Sequence, residues 1–143
     1  MSSFHPYLAF AGNCREAFTR YQEIFGGELV VLTGADVPPD AAGDMSPDMG
    51  DMVLHAALVA GDRLLMGADA PGGTFDGHNR GMCCNVSVDE LAEAERVFAA
   101  LSEGGEVQQP LMQTFFSPGF GMCIDKFGTP WMVVTNDPNM QMP

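Results

Sequence analysis

Apolar positions along the first half of the chain change their spacing several times, and each change predicts a different element. The apolar run at 7–10 predicts a short strand. A stretch of helical spacing follows it, with apolar residues at Ala17, Phe18, Tyr21, Ile24 and Phe25. Asn13 followed by Glu16 has the form of a capping box, so we expect the helix to begin there. Gly26 and Gly27 end it, and the β-rich stretch 28–33 predicts a second strand.

The remainder of the first half predicts a loop and a hairpin. Residues 34–51 contain three prolines, three glycines and no periodicity, which is typical of a loop. Strands at 51–59 and 63–67 are joined by the short turn Gly61-Asp62. We interpret the loop as solvated and mobile, with a lid over a ligand site as the alternative. It carries the aspartates Asp36, Asp40, Asp44, Asp48 and Asp51 and lacks the ligand density of a calcium loop.

The same succession returns after the glycine-rich stretch 71–81. Glu16-Ala17 and the apolar positions that follow this pair match Glu93-Ala94 and the apolar positions that follow it at the same spacing. A Gly-Gly-Glu triplet comes after each predicted helix. The second copy predicts a strand at 82–88, a helix at 89–102, a strand at 106–113, and a hairpin of 121–124 with 131–135. We interpret the chain as a single domain, 1–143, with internal repeats at about 5–69 and 82–135. An α+β domain with accidental likeness between its halves is the alternative.

This repetition predicts the fold class and a place for a ligand. One helix and four strands are too few to cover both sides of a sheet, so each half needs the other. We therefore expect an α+β fold in which two βαβββ repeats form a curved, partly open sheet cup, with helices on the outer face. Such a concave surface is a natural site for a small molecule.

Charge and composition narrow the possible partners. The 143 residues carry a net charge of −13, so we expect neither nucleic acid nor membranes as partners. The N-terminus has no basic, apolar leader, which predicts a cytoplasmic protein. The cysteines, none of them in a C-x-x-C pair, are expected to be free thiols: Cys14, Cys83, Cys84 and Cys123. No nucleophile elbow, P-loop or dinucleotide motif occurs, and we assign no catalytic residue.

Several motifs resemble one known family. They are Pro6-Tyr7-Leu8-x-Phe10-x-Gly12-Asn13-Cys14-Arg15-Glu16-Ala17, His55-Ala56-x-Leu58, Leu65-Met66, and Phe120-Gly121-x-x-x-Asp125-x-Phe127-Gly128-x-x-Trp131. Over nearly the whole chain they resemble the PhnB-like branch of the vicinal oxygen chelate superfamily, which includes glyoxalase I, extradiol dioxygenases and bleomycin-resistance proteins. The branch has carried a demethylubiquinone methyltransferase label, but no glycine motif for S-adenosylmethionine follows a strand here.

The resemblance also implies a metal site and a dimer. Enzymes of the superfamily hold a divalent metal with His, Glu or Gln on the first and last strands of each half. The matching stretches here offer none of these residues, namely 7–10, 63–69, 82–88 and 131–135. We therefore expect no metal and no cofactor. The resemblance further implies a homodimer.

Five residues are candidates for contact with a ligand, and each has a structural alternative. They are His55, Asp69, Trp131, Phe10 and Cys84. The alternatives are a hydrogen-bonded sheet histidine, an aspartate in a turn, and core packing for the others. Two functions remain open. The first is binding of a small organic molecule in an apolar cup without metal. The second is a metal-dependent lyase, isomerase or dioxygenase with unusual ligands.

Overall fold

Strands and helices alternate along the chain in the order that the apolar spacing predicts. The computed structural model describes residues 2–36, 50–71 and 75–140, and within these ranges eight strands and two α-helices occur. They form two compact units, the N-terminal unit Met1–His78 and the C-terminal unit Asn79–Pro143. Each unit has the element order βαβββ. Within the same ranges, no helix is long and apolar enough to cross a bilayer.

The N-terminal unit is a four-stranded sheet with one helix. Its elements are β1 (Tyr7–Phe10), α1 (Cys14–Phe25), β2 (Glu28–Thr33), β3 (Val53–Ala60) and β4 (Arg63–Asp69). The strand order is β1-β4-β3-β2, with β1 parallel to β4 and the other pairs antiparallel. The chain thus crosses from one edge of the sheet to the other through α1, and the hairpin then fills the middle.

The C-terminal unit repeats this topology. Its elements are β5 (Cys84–Val88), α2 (Leu91–Ser102), β6 (Glu106–Met112), β7 (Phe120–Ile124) and β8 (Pro130–Thr135). The order is β5-β8-β7-β6, with β5 parallel to β8. The α+β class and the two similar halves are therefore confirmed. How the sheets combine into a cup, and the single-domain interpretation, stay predictions.

A glycine in each sheet lets the helix come close. A Cβ on Gly67 of β4 would lie 2.9 Å from Cε1 of Phe18, and one on Gly121 of β7 would lie 2.7 Å from Cε1 of Phe98. Because those distances are too short for a real Cβ, only glycine allows the two aromatic rings to pack directly on the sheets. Each sheet consequently has one face covered by its own helix.

The predicted capping box is wrong. Asn13 precedes α1, but its side chain caps nothing, and its Oδ1 is buried without a hydrogen-bond partner. The backbone N–H groups of Gly12 and Cys14 instead donate to Oδ1 of Asp69, at 3.1 and 3.0 Å. A carboxylate is a stronger acceptor than an amide for these partly positive N–H groups. The cap therefore comes from β4 rather than from the helix's own sequence.

The acidic loop is described only at its ends. Asp36 lies in the 3₁₀ turn Gly34–Asp36, and its Oδ2 accepts hydrogen bonds from the N–H and the hydroxyl of Thr33. These bonds hold the pKa of the Asp36 carboxyl below its usual value. Asp40, Asp44 and Asp48 lie outside the described residues, so the lid interpretation stays a prediction.

Candidate functional site

The sheet of the N-terminal unit has two faces of different character. Successive residues of a strand point to opposite faces, and direct cross-strand partners share a face. Gly67, which lies under Phe18, pairs with Leu8 and Ala56, so these residues face α1. The other face is formed by the alternate residues: Tyr7, Ala9, Glu28, Val30, Leu32, His55, Ala57, Val59, Leu64, Met66 and Ala68. We call this second surface the open face.

The open face is accessible, and it is apolar apart from Glu28 and the Tyr7–His55 pair. Four of its side chains are exposed by 40% or more: Tyr7 (53%), Val30 (50%), Leu32 (48%) and Val59 (40%). Single exposed apolar residues are ordinary, but several adjacent ones on one sheet face mark an interaction surface. The open face is therefore the part of this unit best suited to contact a ligand.

One hydrogen-bonded polar pair lies on the open face. The hydroxyl of Tyr7 on β1 is 3.0 Å from Nδ1 of His55 on β3, and the two rings are stacked with centroids 5.8 Å apart. In one tautomer of the neutral imidazole Tyr7 donates to Nδ1, and Nε2 then carries the ring proton. In the other tautomer Nδ1 donates to Tyr7, and Nε2 is then an acceptor. The pair can thus offer either a donor or an acceptor to a ligand.

Sequence reasoning selected His55 but not Tyr7. The two residues are 48 positions apart and lie on strands separated by β4 in the sheet. The parallel pairing of Tyr7 with Met66 brings the phenol onto the face that carries the imidazole. Sequence reasoning could have selected Tyr7 only by assuming this crossover topology, because strand order decides which distant residues share a face of the sheet.

The other four candidates lie on the helix-covered faces. Phe10 is fully buried, with its ring edge-on to Phe18 at 5.8 Å, and Cys84 and Trp131 are 5% and 3% exposed. Asp69, at 7%, is also buried. None of the four lies on the open face with His55. A role in ligand contact stays a prediction for all five. The packing of Phe10, Cys84 and Trp131 supports the core-packing alternative, whereas Asp69 is the last residue of β4 and not a turn aspartate.

Asp69 joins three parts of the N-terminal unit. Its Oδ1 accepts from the N–H groups of Gly12 and Cys14, and its Oδ2 accepts from the N–H of Val53 at 3.0 Å. Both carboxylate oxygens are thus used to hold the start of α1 and the start of β3 against the end of β4. This arrangement supports a structural role for Asp69.

Trp131 is held by a residue that sequence reasoning did not select. Its Nε1–H donates to Oδ2 of Asp125 at 2.8 Å, while Oδ1 of Asp125 accepts from the N–H groups of Phe127 and Thr129. Asp125 is itself buried and lies in the β7–β8 turn. A buried indole N–H needs an acceptor, and a turn aspartate six residues earlier is a signal that could have been used.

The buried thiols are unsuited to reactive chemistry. Burial, with smaller contributions from Cys83 and Asp125, raises the pKa of Cys84 to about 12. Burial likewise raises the pKa of Cys14 to about 12 and that of Cys123 to about 11. These three thiols are therefore protonated at neutral pH, whereas nucleophiles and metal ligands are thiolates.

The donor groups do not fit the divalent metal that the superfamily resemblance implies. Within residues 2–36, 50–71 and 75–140, no three His, Cys, Asp or Glu side chains are grouped so that they could hold a metal ion. Nδ1 of His55 is bonded to Tyr7, and the Asp69 carboxylate is bonded to backbone N–H groups. No step of a reaction is therefore derived through a metal.

Comparison with known proteins identifies the family. The family model for 3-demethylubiquinone-9 3-methyltransferase matches residues 2–134. Protein YjdN of Escherichia coli K12 is 32% identical over 138 residues, which cover 90% of this chain and 91% of YjdN. The chain belongs to this family.

Solved structures agree with the assignment. Protein PA1353 from Pseudomonas aeruginosa is 42% identical, with a TM-score of 0.85 over 95% of this chain and 98% of PA1353. A PhnB protein from Bacillus cereus, 24% identical, has a TM-score of 0.72 over 94% of this chain and 99% of that protein. The latter shows the fold alone. The resemblance to the PhnB-like branch of the vicinal oxygen chelate superfamily is confirmed, and the two βαβββ halves match the glyoxalase fold.

Proposed function

We propose that this PhnB-like protein binds a small organic molecule on the open face, with the Tyr7–His55 pair as its polar anchor and without a metal. The observation that carries the proposal is the hydrogen bond between these two side chains on an exposed apolar sheet face. Binding sites for small molecules are mostly apolar, with a few placed polar groups that orient the ligand. The open face combines both features.

The energetics favour a ligand with an apolar body and one polar group. Covering 100 Å² of this apolar surface would contribute about 2.5 kcal/mol. A ligand oxygen bonded to the pair would add about 1 kcal/mol and set the orientation. A carbonyl, hydroxyl or ether group on an aromatic or alicyclic ring fits these requirements.

Catalysis by a metal is not favoured over binding. The three buried thiols are protonated, and both oxygens of Asp69 bind backbone N–H groups. Methyl transfer is what the family's description names, and our proposal rests on the open face rather than on that description. Elemental analysis of protein purified without chelator tests the metal-free part, where we expect substoichiometric zinc, iron, manganese and nickel. One metal per chain would contradict it.

The binding part is tested by two-dimensional NMR with acetophenone, which has an apolar ring and a carbonyl acceptor. We expect amide shifts in β1, β3 and β4, the strands that carry the pair and the strand between them, and a loss of affinity of about threefold to tenfold in Tyr7→Phe and in His55→Gln. His78→Gln is the matched control, because His78 is an exposed histidine away from these strands. Shifts confined to other strands, or equal affinity in all three variants, would refute the anchor.

Assembly as a homodimer is part of the same proposal. The edge strands of an open sheet expose unpaired backbone groups, which favour association with a second copy. Light scattering at micromolar concentration should then report twice the chain mass of 15.3 kDa. A monomer at all concentrations would refute this part and leave the binding proposal untouched.

A further inference from the structure

A groove on the C-terminal unit runs between α2 and β6, on the helix side of the sheet. Its volume is about 440 Å³, and it is lined by Leu91, Glu95, Phe98, Ala99, Leu111, Met112, Gln113, Pro118 and Gly119. Leu91 and Met112 are exposed by 42% and 50%, so apolar side chains line a space that solvent reaches. The groove is large enough for a small molecule.

The groove borders the irregularly paired end of β6. The register between β6 and β7 shifts twice, between Val107 and Gln109 and again between Gln109 and Met112. Pro110 lies inside the second shift and has no N–H to donate to a ladder. A bulged strand bends and twists locally, and Met112, at the second shift, is one of the residues that line the groove.

An unpaired polar group lies buried beside Gly119, one of the residues that line the groove. Thr135 is 2% exposed, and its Oγ1 has no hydrogen-bond partner among the described residues. A Cβ on Gly119, which lines the groove, would lie 3.1 Å from this hydroxyl and 2.5 Å from Cδ1 of Leu91. The hydroxyl therefore lies next to the groove, under the first residue of α2. A buried hydroxyl without a partner is costly, and a bound polar group would satisfy it.

The charge of the groove is negative. Glu95 is exposed and has no ion-pair partner in the described part of the chain, whereas Glu93 on the same helix binds Arg96 at 3.0 Å. The net charge of −13 adds to the attraction for cations. Apolar walls with one unneutralised carboxylate complement an organic cation.

We propose that this groove binds a small organic cation, a protonated amine on an apolar chain. The chain packs against Phe98, Leu111 and Met112. The ammonium group binds the Glu95 carboxylate and the hydroxyl of Thr135. This site is formed by other residues than the open face and does not depend on the function proposed for it.

The test compares three probes of equal length: n-hexylammonium, 1-hexanol and hexanoate. Two-dimensional NMR of the full chain should show n-hexylammonium shifting amides of residues 91–99 and 111–113, with an affinity about threefold to fivefold above that of 1-hexanol and hexanoate. Ala99→Phe, which fills the groove from an exposed position, should abolish binding of all three probes.

Two further variants test the charge and the hydroxyl. Glu95→Gln and Thr135→Val should each reduce the preference for the ammonium, while Glu93→Gln, the matched control, should leave it unchanged. Equal binding of the ammonium and hexanoate probes, shifts outside the groove, or a preference that survives both substitutions would overturn the proposal.

Discussion

Asp69 in the N-terminal unit and Thr135 in the C-terminal unit occupy the same position in their sheets. Asp69 pairs with Phe10 across the parallel strands β4 and β1, and the next N–H, of Ala70, donates to the Phe10 carbonyl at 2.7 Å. Thr135 pairs with Val88 across β8 and β5, and Asn136 donates to the Val88 carbonyl, also at 2.7 Å. The backbone hydrogen bonding at Asp69 and at Thr135 is thus the same, including the bond that the next residue donates.

The side chains at this position do different things. The Asp69 carboxylate accepts three backbone N–H groups and caps α1, whereas the Thr135 hydroxyl has no partner. Helix α2 begins after Glu90 without any side-chain cap. The C-terminal unit instead has its buried carboxylate at the other end of the hairpin, where Asp125 holds the β7–β8 turn and Trp131.

This difference shows that the strand order of a unit does not depend on where its buried carboxylate lies. Both units reach the same strand order, yet each buries a carboxylate at a different corner. A carboxylate that accepts three N–H groups can be placed wherever backbone donors would otherwise be unpaired. The comparison predicts that the two units respond differently to substitutions at equivalent positions.

The largest effect is expected for Asp69→Ala. Loss of the carboxylate leaves the N–H groups of Gly12, Cys14 and Val53 without their acceptor, which should lower the free energy of unfolding by about 3 kcal/mol. Urea denaturation measures the total, and hydrogen exchange should show faster exchange of these three amides. Asp62→Ala, in the exposed β3–β4 turn, is the control and should change stability little. A mild effect at Asp69 would mean that water replaces the cap.

A smaller loss, about 1.5 kcal/mol, is expected for Trp131→Phe. This substitution keeps an aromatic ring in the core but removes the N–H that donates to Asp125. Hydrogen exchange should become faster in the β7–β8 turn and stay unchanged at Gly12 and Cys14. Equal acceleration in both units would show that the two carboxylates do not act independently.

Thr135→Val should stabilise the protein by about 1 kcal/mol. The two side chains have the same shape, and the substitution removes a buried hydroxyl that has no partner. Thr129→Val is the comparison, since Thr129 is also fully buried but its hydroxyl is not left without a partner. The urea midpoint should rise in the first variant and fall in the second. A fall in both would show that the Thr135 hydroxyl is satisfied in solution.

The smallest effect at neutral pH is expected from the cysteines, because it develops only in alkali. The folded-state pKa values of Cys14, Cys84 and Cys123 are raised above the ordinary value of 9.0 to about 12, 12 and 11. Below pH 9 both folded and unfolded thiols are protonated, and stability is unaffected. Above it the unfolded chain ionises first, so stability should fall as the pH rises towards 12.

The two units contribute unequally to this decline. Urea titrations between pH 8 and pH 11 should show a flatter decline in Cys84→Ala/Cys123→Ala, which removes both buried thiols of the C-terminal unit, than in Cys14→Ala. Parallel declines in every variant would assign the effect to other groups.

Sequence spacing predicted most of the fold, because the change from strand to helix periodicity is a local property. Strands β1 and β2 have the predicted bounds, and other elements begin or end within about two residues of them. The prediction of a capping box at Asn13 was wrong for a reason that the local spacing of residues does not reveal. Its competitor, Asp69, lies 57 and 55 residues along the chain from Gly12 and Cys14, whose amides it binds at the start of the helix.

The candidate site was predicted less completely. The sequence pointed to His55 as a polar residue in an apolar strand, and to Trp131 as an indole that needs an acceptor. It could not place Phe10, Cys84 and Trp131 on the helix-covered faces, since alternation tells which residues share a face but not which face the helix covers.

Local pattern alone therefore determined the class of the fold and the repeat of βαβββ, and the resemblance of its motifs indicated the family. Tertiary structure decided that Tyr7 meets His55, that Asp69 caps α1, and that Thr135 is left without a partner. The physical reason is distance along the chain. Periodicity and turn chemistry act over a few residues, whereas hydrogen bonds between strands are chosen only when the sheet brings remote donors and acceptors together.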